Sequence, residues 1–315
     1  MAGPKSWGVA WTITEDVAEY LAAAGEFLRS RTAEHTVLII AAEAVRVRGT
    51  GAFGEVIPQF GWWQEGADGP SAAFLHTPPY PVVLTGMTAQ VATALAGLLA
   101  DRGRQLSGAN GDNHTAPAFA SAWQARTGQP SQVRLRSRLY RLGRLRMPDP
   151  APPGRARVAT TADRDLLITW LDAFHRDANP GPGGRTASIA DDKLSYGGLT
   201  FWEAGGEPVS LAGLTRMVAG QVRVGPVYTP AHLRRRGFGG AATAAVSRAA
   251  LEAGAQEVVL FTDLANPTSN ALYQRLGYRP VSDRVHLAFG SPAPGQRWDP
   301  PHRGHPGDCG AGPSG

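Results

Sequence analysis

The feature that most constrains the fold is an apolar strand that runs through an arginine- and glycine-rich turn into a helix. Residues 220–229 (GQVRVGPVYT) have the composition of a strand, and residues 234–240 (RRRGFGG) lead into an alanine-rich segment predicted to be helical to about Glu252. The first amides of a helix have no partner within the helix and carry partial positive charge, so they bind anions. Bare glycine backbone and three arginines at this point predict a site for a diphosphate.

This turn is neither of the two common nucleotide-binding loops. No Lys-Ser/Thr pair follows the glycines, as a P-loop requires, and GFGGAA lacks the G-x-G-x-x-G spacing of dinucleotide-binding folds. Arginine and glycine are abundant throughout this chain, so on the turn alone a basic loop that caps a helix explains the pattern equally well. A second motif is needed to decide between the two.

A proline-rich break, MPDPAPPGR, divides the chain into two halves of similar layout. We predict a first domain over 1–147, a linker over 148–155, a second domain over 156–290 and a tail over 291–315 that is too rich in Pro and Gly to pack and is therefore disordered. Residues 1–12 are expected to be a loose lead-in. The predicted first-half elements are helices over 14–31, 35–49, 88–103 and 116–128, three short strands between 57 and 87, and a strand over 131–145 with one solvated, arginine-rich face.

The second half supplies the deciding motif. After the next predicted strand comes NPTSNALYQRLGYRPV (266–281). The order of elements and motifs resembles that of the GCN5-related N-acetyltransferase (GNAT) superfamily over about residues 155–289. This order is a strand, R-x-x-G-x-G/A, a helix, a strand and then N-x-x-S-x-x-L-Y-x-x-x-G-Y. The whole chain is also similar to bacterial predicted acetyltransferases with two such domains, the first degenerate. The segments that carry this narrower resemblance are FGWW (60–63), RLYRL (138–142) and residues 261–281.

The resemblance implies an α/β fold of the α+β kind: tandem GNAT-like domains, each a mixed, mostly antiparallel sheet flanked by helices, with a splayed strand pair in the C-terminal domain. It also implies an acetyl-CoA site and no metal. The pyrophosphate loop would be Arg234, Arg235, Arg236, Gly237, Phe238, Gly239 and Gly240, and the main chain of Val227, Tyr228 and Thr229 would line the thioester and pantetheine arm. Asn266 and Ser269 would contact the pantetheine or the nearby phosphates, and Tyr273 would lie near the sulfur.

The implied chemistry is direct attack of an amine on the thioester. The backbone N–H of Tyr228 would lie in the gap between the two splayed strands, called the splay below, and would stabilise the oxyanion. The Tyr273 hydroxyl would protonate the leaving thiolate. The alternative for Tyr273 is a core aromatic on an amphipathic helix. The strand contains Gln221 and Arg223 but no carboxylate, so no general base is assigned; the candidates are Glu203, Asp263 and His175, or ordered water.

The first half has no arginine or glycine turn after YPVVLTGM (80–87), so we interpret it as a degenerate copy that lost cofactor binding. It is expected to pack on the second domain and close one side of the acceptor cleft. Trp62 and Trp63 would either contact the acceptor or serve in packing.

The predicted function is that of an acyltransferase for groups other than amino-acyl groups, acting on a primary amine of a small molecule. The alternatives are a protein or peptide N-acetyltransferase and a non-enzymatic CoA-responsive binding protein; nucleic-acid binding is a third, disfavoured because the arginines are scattered. We expect no nucleic-acid or membrane partner and a monomer or homodimer. The lone Cys309 and the absence of a signal peptide or long apolar run favour the cytoplasm, and 29 arginines against two lysines are typical of a bacterium with a GC-rich genome.

Overall fold

The protein is described here as a computed structural model that covers residues 10–66, 68–178 and 186–290. The predicted tail over 291–315 and most of the lead-in lie outside the described residues. Within them, all the strands form one sheet. The strands are β1 (Ala10–Thr14), β2 (Gln59–Gln64), β3 (Pro70–His76), β4 (Val82–Leu84), β5 (Gly108–Asp112), β6 (Ser131–Leu142), β7 (Arg155–Val158), β8 (Leu199–Ala204), β9 (Glu207–Leu214), β10 (Gln221–Tyr228), β11 (Glu257–Asp263) and β12 (Tyr278–Phe289).

Eight α-helices in the described ranges flank this sheet. They are α1 (Val17–Arg29), α2 (Thr36–Arg48), α3 (Ala89–Asp101), α4 (Thr115–Thr127), α5 (Arg164–Ala178), α6 (Thr186–Leu194), α7 (Phe238–Glu252) and α8 (Pro267–Arg275). The fold is thus a mixed, mostly antiparallel sheet covered by helices, as the sequence predicts. The parallel neighbours are β4 with β5 and β10 with β11.

The strand order shows that the two halves exchange their last strands. The sheet runs β1-β2-β3-β4-β5-β12-β6-β11-β10-β9-β8-β7. β6, from the first half, therefore pairs with β11, and β12, from the second half, pairs with β5. β6 and β12 also pair with each other along their whole length, from Tyr278↔Leu142 to Phe289↔Ser131. The order reads the same from either edge when each strand is replaced by its counterpart in the other half.

Helices cover both faces of the sheet in the same way in the two halves. In the second half, α7 and α8 pack over Val222, Val224 and Leu260, and α5 and α6 pack over Phe201 and Leu211 on the opposite face. The first half repeats this arrangement with α3 and α4 on one face and α1 and α2 on the other. Val259 packs against Ala33, which lies between α1 and α2. Since Val259 alternates with Leu260, α1 and α2 share a face with α5 and α6.

The structure differs from the sequence-based expectations at three places in the first half. Residues Ala10–Thr14 form the edge strand β1, so the lead-in is shorter than expected. The sequence favours Thr14 as the cap of the first helix, but α1 is capped by Asp16, whose Oδ1 accepts from the Ala18 amide at 2.7 Å, and Thr14 accepts from the Asp16 amide. The sequence did not predict β5, because GANGD contains no apolar alternation.

The proline-rich segment between the halves packs against the second half. The Trp202 indole N–H donates to the Pro153 carbonyl at 3.0 Å, and Pro152 lies near Gly237. The described residues between Leu142 and β7 therefore form a strap across the second half. The exact domain boundaries stay a prediction.

Candidate active site

Two parallel strands separate at the centre of the second half. β10 and β11 are in register from Gln221↔Glu257 to Val224↔Leu260 and not beyond. On its other side β10 stays paired with β9, and its register shifts between Val224 and Val227. Val227, Tyr228 and Thr229 therefore lie in the splayed part of β10, where the sequence places the thioester and pantetheine contacts. A gap between two strand edges leaves backbone groups that a bound chain can use.

The predicted turn follows at the end of the splayed strand. Gly237 is the N-cap residue of α7, has φ +82° and supplies no side-chain cap. The amides of Phe238, Gly239 and Gly240 donate to no acceptor among the described residues; the first backbone bond of the helix is from Ala241 to the Gly237 carbonyl. Uncapped amides at the start of a fifteen-residue helix form a site for anionic oxygens.

The three arginines of the turn have different environments. Arg234 folds back on the protein: its Nε donates to the Thr229 carbonyl at 2.9 Å and its Nη2 to Asp177 at 2.7 Å. Arg235 has φ +64°, a left-handed conformation that is unfavourable for a residue with a Cβ. Arg235 and Arg236 are exposed and make no ion pair with a described residue. Arg234 therefore fixes the shape of the loop, and its two neighbours are the residues free to bind phosphate.

Two of the glycines of the turn lie close to neighbouring side chains. A Cβ on Gly240 would lie 2.9 Å from Cδ1 of Leu272, and one on Gly239 would lie 3.2 Å from Oγ1 of Thr229. The missing side chains let α7 approach α8 and β10 closely. Gly237 differs from these two glycines, because its φ of +82° favours glycine and its Cβ direction is open except for Pro152. The contact of all three glycines with a diphosphate stays a prediction.

The second motif forms the start of α8. Asn266 is the N-cap residue, and its Oδ1 accepts from the Ser269 amide at 3.0 Å. The Asn266 side chain is therefore already used in capping, and its contact with pantetheine stays a prediction, as does that of Ser269. α8 is held in place by the first half: the Tyr140 hydroxyl, on β6, donates to Asn270 Oδ1 at 2.9 Å.

Tyr273 lies in the core between α8 and the splayed strands. Only 7% of the residue is exposed, and it belongs to the same apolar cluster as Val224 and Leu260. Its ring lies 6.1 Å from that of Tyr278 and 6.5 Å from that of Tyr140. The hydroxyl donates to no described group, and burial raises the pKa of Tyr273 to about 12. A protonated hydroxyl with no partner can donate to a bound group.

The second half of the chain matches a known family of enzymes. Residues 164–278 match the model of the acetyltransferase (GNAT) family. Residues 164–278 form a GNAT acetyltransferase domain. Among solved structures, a GCN5-related N-acetyltransferase from Sphaerobacter thermophilus is 16% identical and superposes with a TM-score of 0.59 over 89% of this chain and 95% of that one. No curated protein matches the sequence.

Two further solved structures bear on the extent of the fold. An acetyltransferase of the GNAT family from Colwellia psychrerythraea is 10% identical, with a TM-score of 0.52 over 90% of this chain and all of that one. A GCN5-related N-acetyltransferase from Kribbella flavida is 23% identical, with a TM-score of 0.50 over 69% of this chain and 86% of that one. At these identities the likeness shows the fold, and the fold extends over both halves.

The candidate bases of the GNAT domain are distributed unevenly around the splay. Glu203 lies on β8, two strands away, and its carboxylate is bound to Arg157 and is near Arg155. Asp263 ends β11 at the rim of the splay, but its Oδ1 accepts from the Ala265 amide and so caps the turn into α8. His175 lies near the end of α5 against Phe174. None of the three is aimed at the splay by a described contact, so no base is assigned.

In the first half, the position equivalent to the splay is closed by an arginine from β12. β4 and β5 pair only at Val82↔Ala109 and Val83↔Asn110. Arg284 lies beyond that point: its Nη2 donates to the carbonyls of Leu84 and Asn110, both at 3.2 Å, and its Nε to Asn110 Oδ1 at 3.0 Å. Thr88 caps α3 through the Val91 amide. The first-half groups that correspond to the splay and to the start of α7 therefore have partners within the chain.

Three further observations complete the comparison with the sequence. Trp62 and Trp63 are buried in the first-half cores, so they serve in packing.

No helix among the described residues is long and apolar enough to cross a membrane, and no group of three metal-ligating side chains occurs in those residues. The sequence did not predict the cations Lys193 and Arg223, which lie on the face opposite α7; the rarity of lysine in this chain was the available signal.

Proposed function

We propose that the protein transfers an acetyl group from acetyl-CoA to a primary amine of a small molecule, by direct attack in a ternary complex. The observation that carries the proposal is the continuity of two features. The splayed edge of β10 leads directly, through Arg235 and Arg236, to the uncapped amides of α7. A thioester arm ending in a diphosphate has the chemistry that this combination of open strand edge and anion site would bind.

The residues present fit acetyl-CoA as the donor substrate. The unpartnered α7 amides and the two free arginines would bind the diphosphate oxygens. The main chain of Val227 to Thr229 would hold the pantetheine arm in the gap. Here the Ser210 hydroxyl already donates to the Tyr228 carbonyl at 3.0 Å, which steadies the strand where it leaves β11.

In the reaction, the amine nitrogen attacks the thioester carbon, the C–S bond breaks and the thiolate takes a proton. A backbone N–H near Tyr228 would stabilise the oxyanion. Tyr273 would supply the proton, because its hydroxyl is protonated at neutral pH and has no other partner. The attacking amine loses its proton to water, since no described carboxylate or imidazole is positioned to take it.

A thiol-release assay with a panel of primary amines, followed by mass spectrometry of the products, tests the activity. Calorimetry with CoA tests the site. We expect the double variant Arg235→Glu, Arg236→Glu to weaken CoA binding by at least about tenfold, because each charged hydrogen bond contributes roughly 1.5–3 kcal/mol.

Arg248→Glu is the matched control, because Arg248 is an exposed arginine on the same helix, 3.9 Å from Glu252 and far along α7 from its start. Equal CoA affinity in wild type and the double variant would contradict the placement of the donor. Tight CoA binding without acetylation of any amine would instead favour a CoA-responsive binding protein.

A further inference from the structure

A group of cations lies on the face of the sheet opposite α7, and the mechanism above does not use it. Side chains alternate along a strand, so Arg223 points away from Val222 and Val224, which pack in the core under α7 and α8. Arg223 is in register with Val259, which packs against Ala33 between α1 and α2. Arg223 therefore lies on the face that helices from both halves cover.

Lys193 reaches the same place from the end of α6. Its Nζ donates to the Leu214 carbonyl at 2.6 Å, and the Tyr196 hydroxyl donates to the same oxygen at 3.0 Å. Leu214 pairs with Val224, the neighbour of Arg223. Only 9% of Lys193 is exposed. Apart from Lys5 it is the only lysine in a chain with 31 basic residues, so its presence here is not the chain's usual choice of cation.

This group has more cations than carboxylates. The Arg223 guanidinium forms no ion pair with a described residue. Among the described groups that act electrostatically on Lys193 and Tyr196, Asp192 is the only carboxylate. Asp192 is shared with two other cations, Arg48 from α2 at 3.6 Å and Arg216 at 3.5 Å. Arg216 also lies over the Tyr196 ring, 4.1 Å from its centroid.

The burial of Lys193 and Arg223 lowers the pKa of each one. Burial lowers the pKa of Lys193 to about 8, with a further contribution from Arg223, and burial also lowers the pKa of Arg223. Gln221, two residues earlier on the same face, is fully buried, and neither of its amide atoms has a partner in the described residues. Burying unpaired charge and unpaired polar groups is costly unless a bound group of opposite charge offsets it.

The cations are close to the point of reaction. Arg223 immediately precedes Val224, the last β10 residue paired with β11. At about 3.3 Å per residue, the splayed residues Val227 to Thr229 lie roughly 13–20 Å beyond Arg223 along the strand, a distance that the long Arg223 side chain and the acceptor would span together. A short molecule can therefore place an anionic group on Arg223 and Lys193 while its amine lies at the splay.

We propose that Arg223 and Lys193 bind the anionic group of the acceptor, so that the acceptor is a small amine that also carries a carboxylate or a phosphate. This inference rests on the proposed acetyltransferase function and specifies its substrate class. The anionic oxygens would take charged hydrogen bonds from the guanidinium and the ammonium, and both halves of the chain would line the cleft through Arg48 and Asp192.

Matched pairs of amines test the inference on the full chain. The pairs are ω-amino acids of increasing length against their primary amides, and O-phosphoethanolamine against ethanolamine. The pair with the larger ratio of kcat/KM, anionic member over neutral member, shows whether the preferred anion is a carboxylate or a phosphate. We expect wild type to favour the anionic member by at least about tenfold in kcat/KM. Arg223→Met and Lys193→Met should remove this preference by raising KM for the anionic member of each pair more than for its neutral partner. Arg223→Lys and Lys193→Arg should retain most of it, and the exposed Arg248→Met is the control.

The result that overturns the inference is a wild-type enzyme that prefers the neutral amines, or variants that lose both members of a pair equally. Calorimetry in the presence of CoA separates this failure from that of the proposed function. If no amine is acetylated, 4-aminobutyrate and O-phosphoethanolamine should still bind wild type, and should bind the two methionine variants at least tenfold more weakly. Equal binding or no binding of both probes would overturn the inference, and loss of CoA binding in the variants would assign the cations to the donor instead.

Discussion

Replacing Tyr273 by phenylalanine should separate catalysis from stability. General acid catalysis contributes about 10²–10⁴-fold, or roughly 3–5 kcal/mol of the barrier, so kcat should fall by at least about a hundredfold. The Tyr273 hydroxyl makes no hydrogen bond to another described residue, so its removal breaks no hydrogen bond of the folded chain. The free energy of unfolding should therefore stay nearly the same, because the variant loses no hydrogen bond and keeps its ring in the core.

Tyr278 provides the matched control. Its ring lies beside that of Tyr273, but its hydroxyl is 2.6 Å from the Ser247 hydroxyl on α7. Tyr278→Phe should therefore lower the free energy of unfolding by about 1 kcal/mol and leave kcat nearly unchanged.

The measurements are steady-state kinetics with thiol detection, CoA calorimetry and urea unfolding. CoA affinity should be nearly intact in both variants. Suppose the Tyr273→Phe enzyme keeps more than about a third of wild-type kcat while chemistry is rate-limiting. Tyr273 would then be a packing residue, and solvent would protonate the thiolate.

Three further outcomes follow from other parts of the chain. Calorimetry should find one CoA bound per chain, because Arg284 occupies the position in the first half that is open in the second; two would contradict this. Arg284→Met should lower the free energy of unfolding by about 2–4 kcal/mol by leaving buried carbonyls unpaired, and should not create a second CoA site, which repeated calorimetry checks. Burial lowers the pKa of both His76 and His286 to about 4, so the folded chain favours their neutral imidazoles. The free energy of unfolding should therefore fall as the pH drops from about 6.5 toward 4, by roughly 2 kcal/mol for each histidine at pH 5. Urea midpoints that do not change between pH 7 and pH 5 would refute this.

The local part of the site could be predicted because its signals are local. The strand over 220–229, the helix from Phe238 and the helix after Asn266 all have apolar periodicity bounded by glycine, proline or a capping side chain, and the structure places their ends within about two residues of the predicted ones. The roles of Gly239 and Gly240 could not be predicted, because they depend on how close α7 lies to Thr229 and Leu272.

The long-range part of the structure could not be predicted from these patterns. The alternating strand over residues 131–145 was correctly expected, but nothing in its sequence indicates that it pairs with β11 and β12 rather than with strands of its own half. The same limit applies to Arg284, whose partners are 174 to 200 residues away. The low number of lysines could have drawn attention to Lys193, although not to Arg223 beside it.

The exchange of last strands makes the second half structurally dependent on the first. If the chain were cut at the proline-rich strap, the GNAT half would lose β6, and the edge of β11 would be exposed. It would also lose Tyr140, whose hydroxyl orients the helix that carries Tyr273. A chain whose halves are interlocked in this way cannot discard its first half by truncation. Selection on the activity proposed for the second half would therefore preserve the core of the first half.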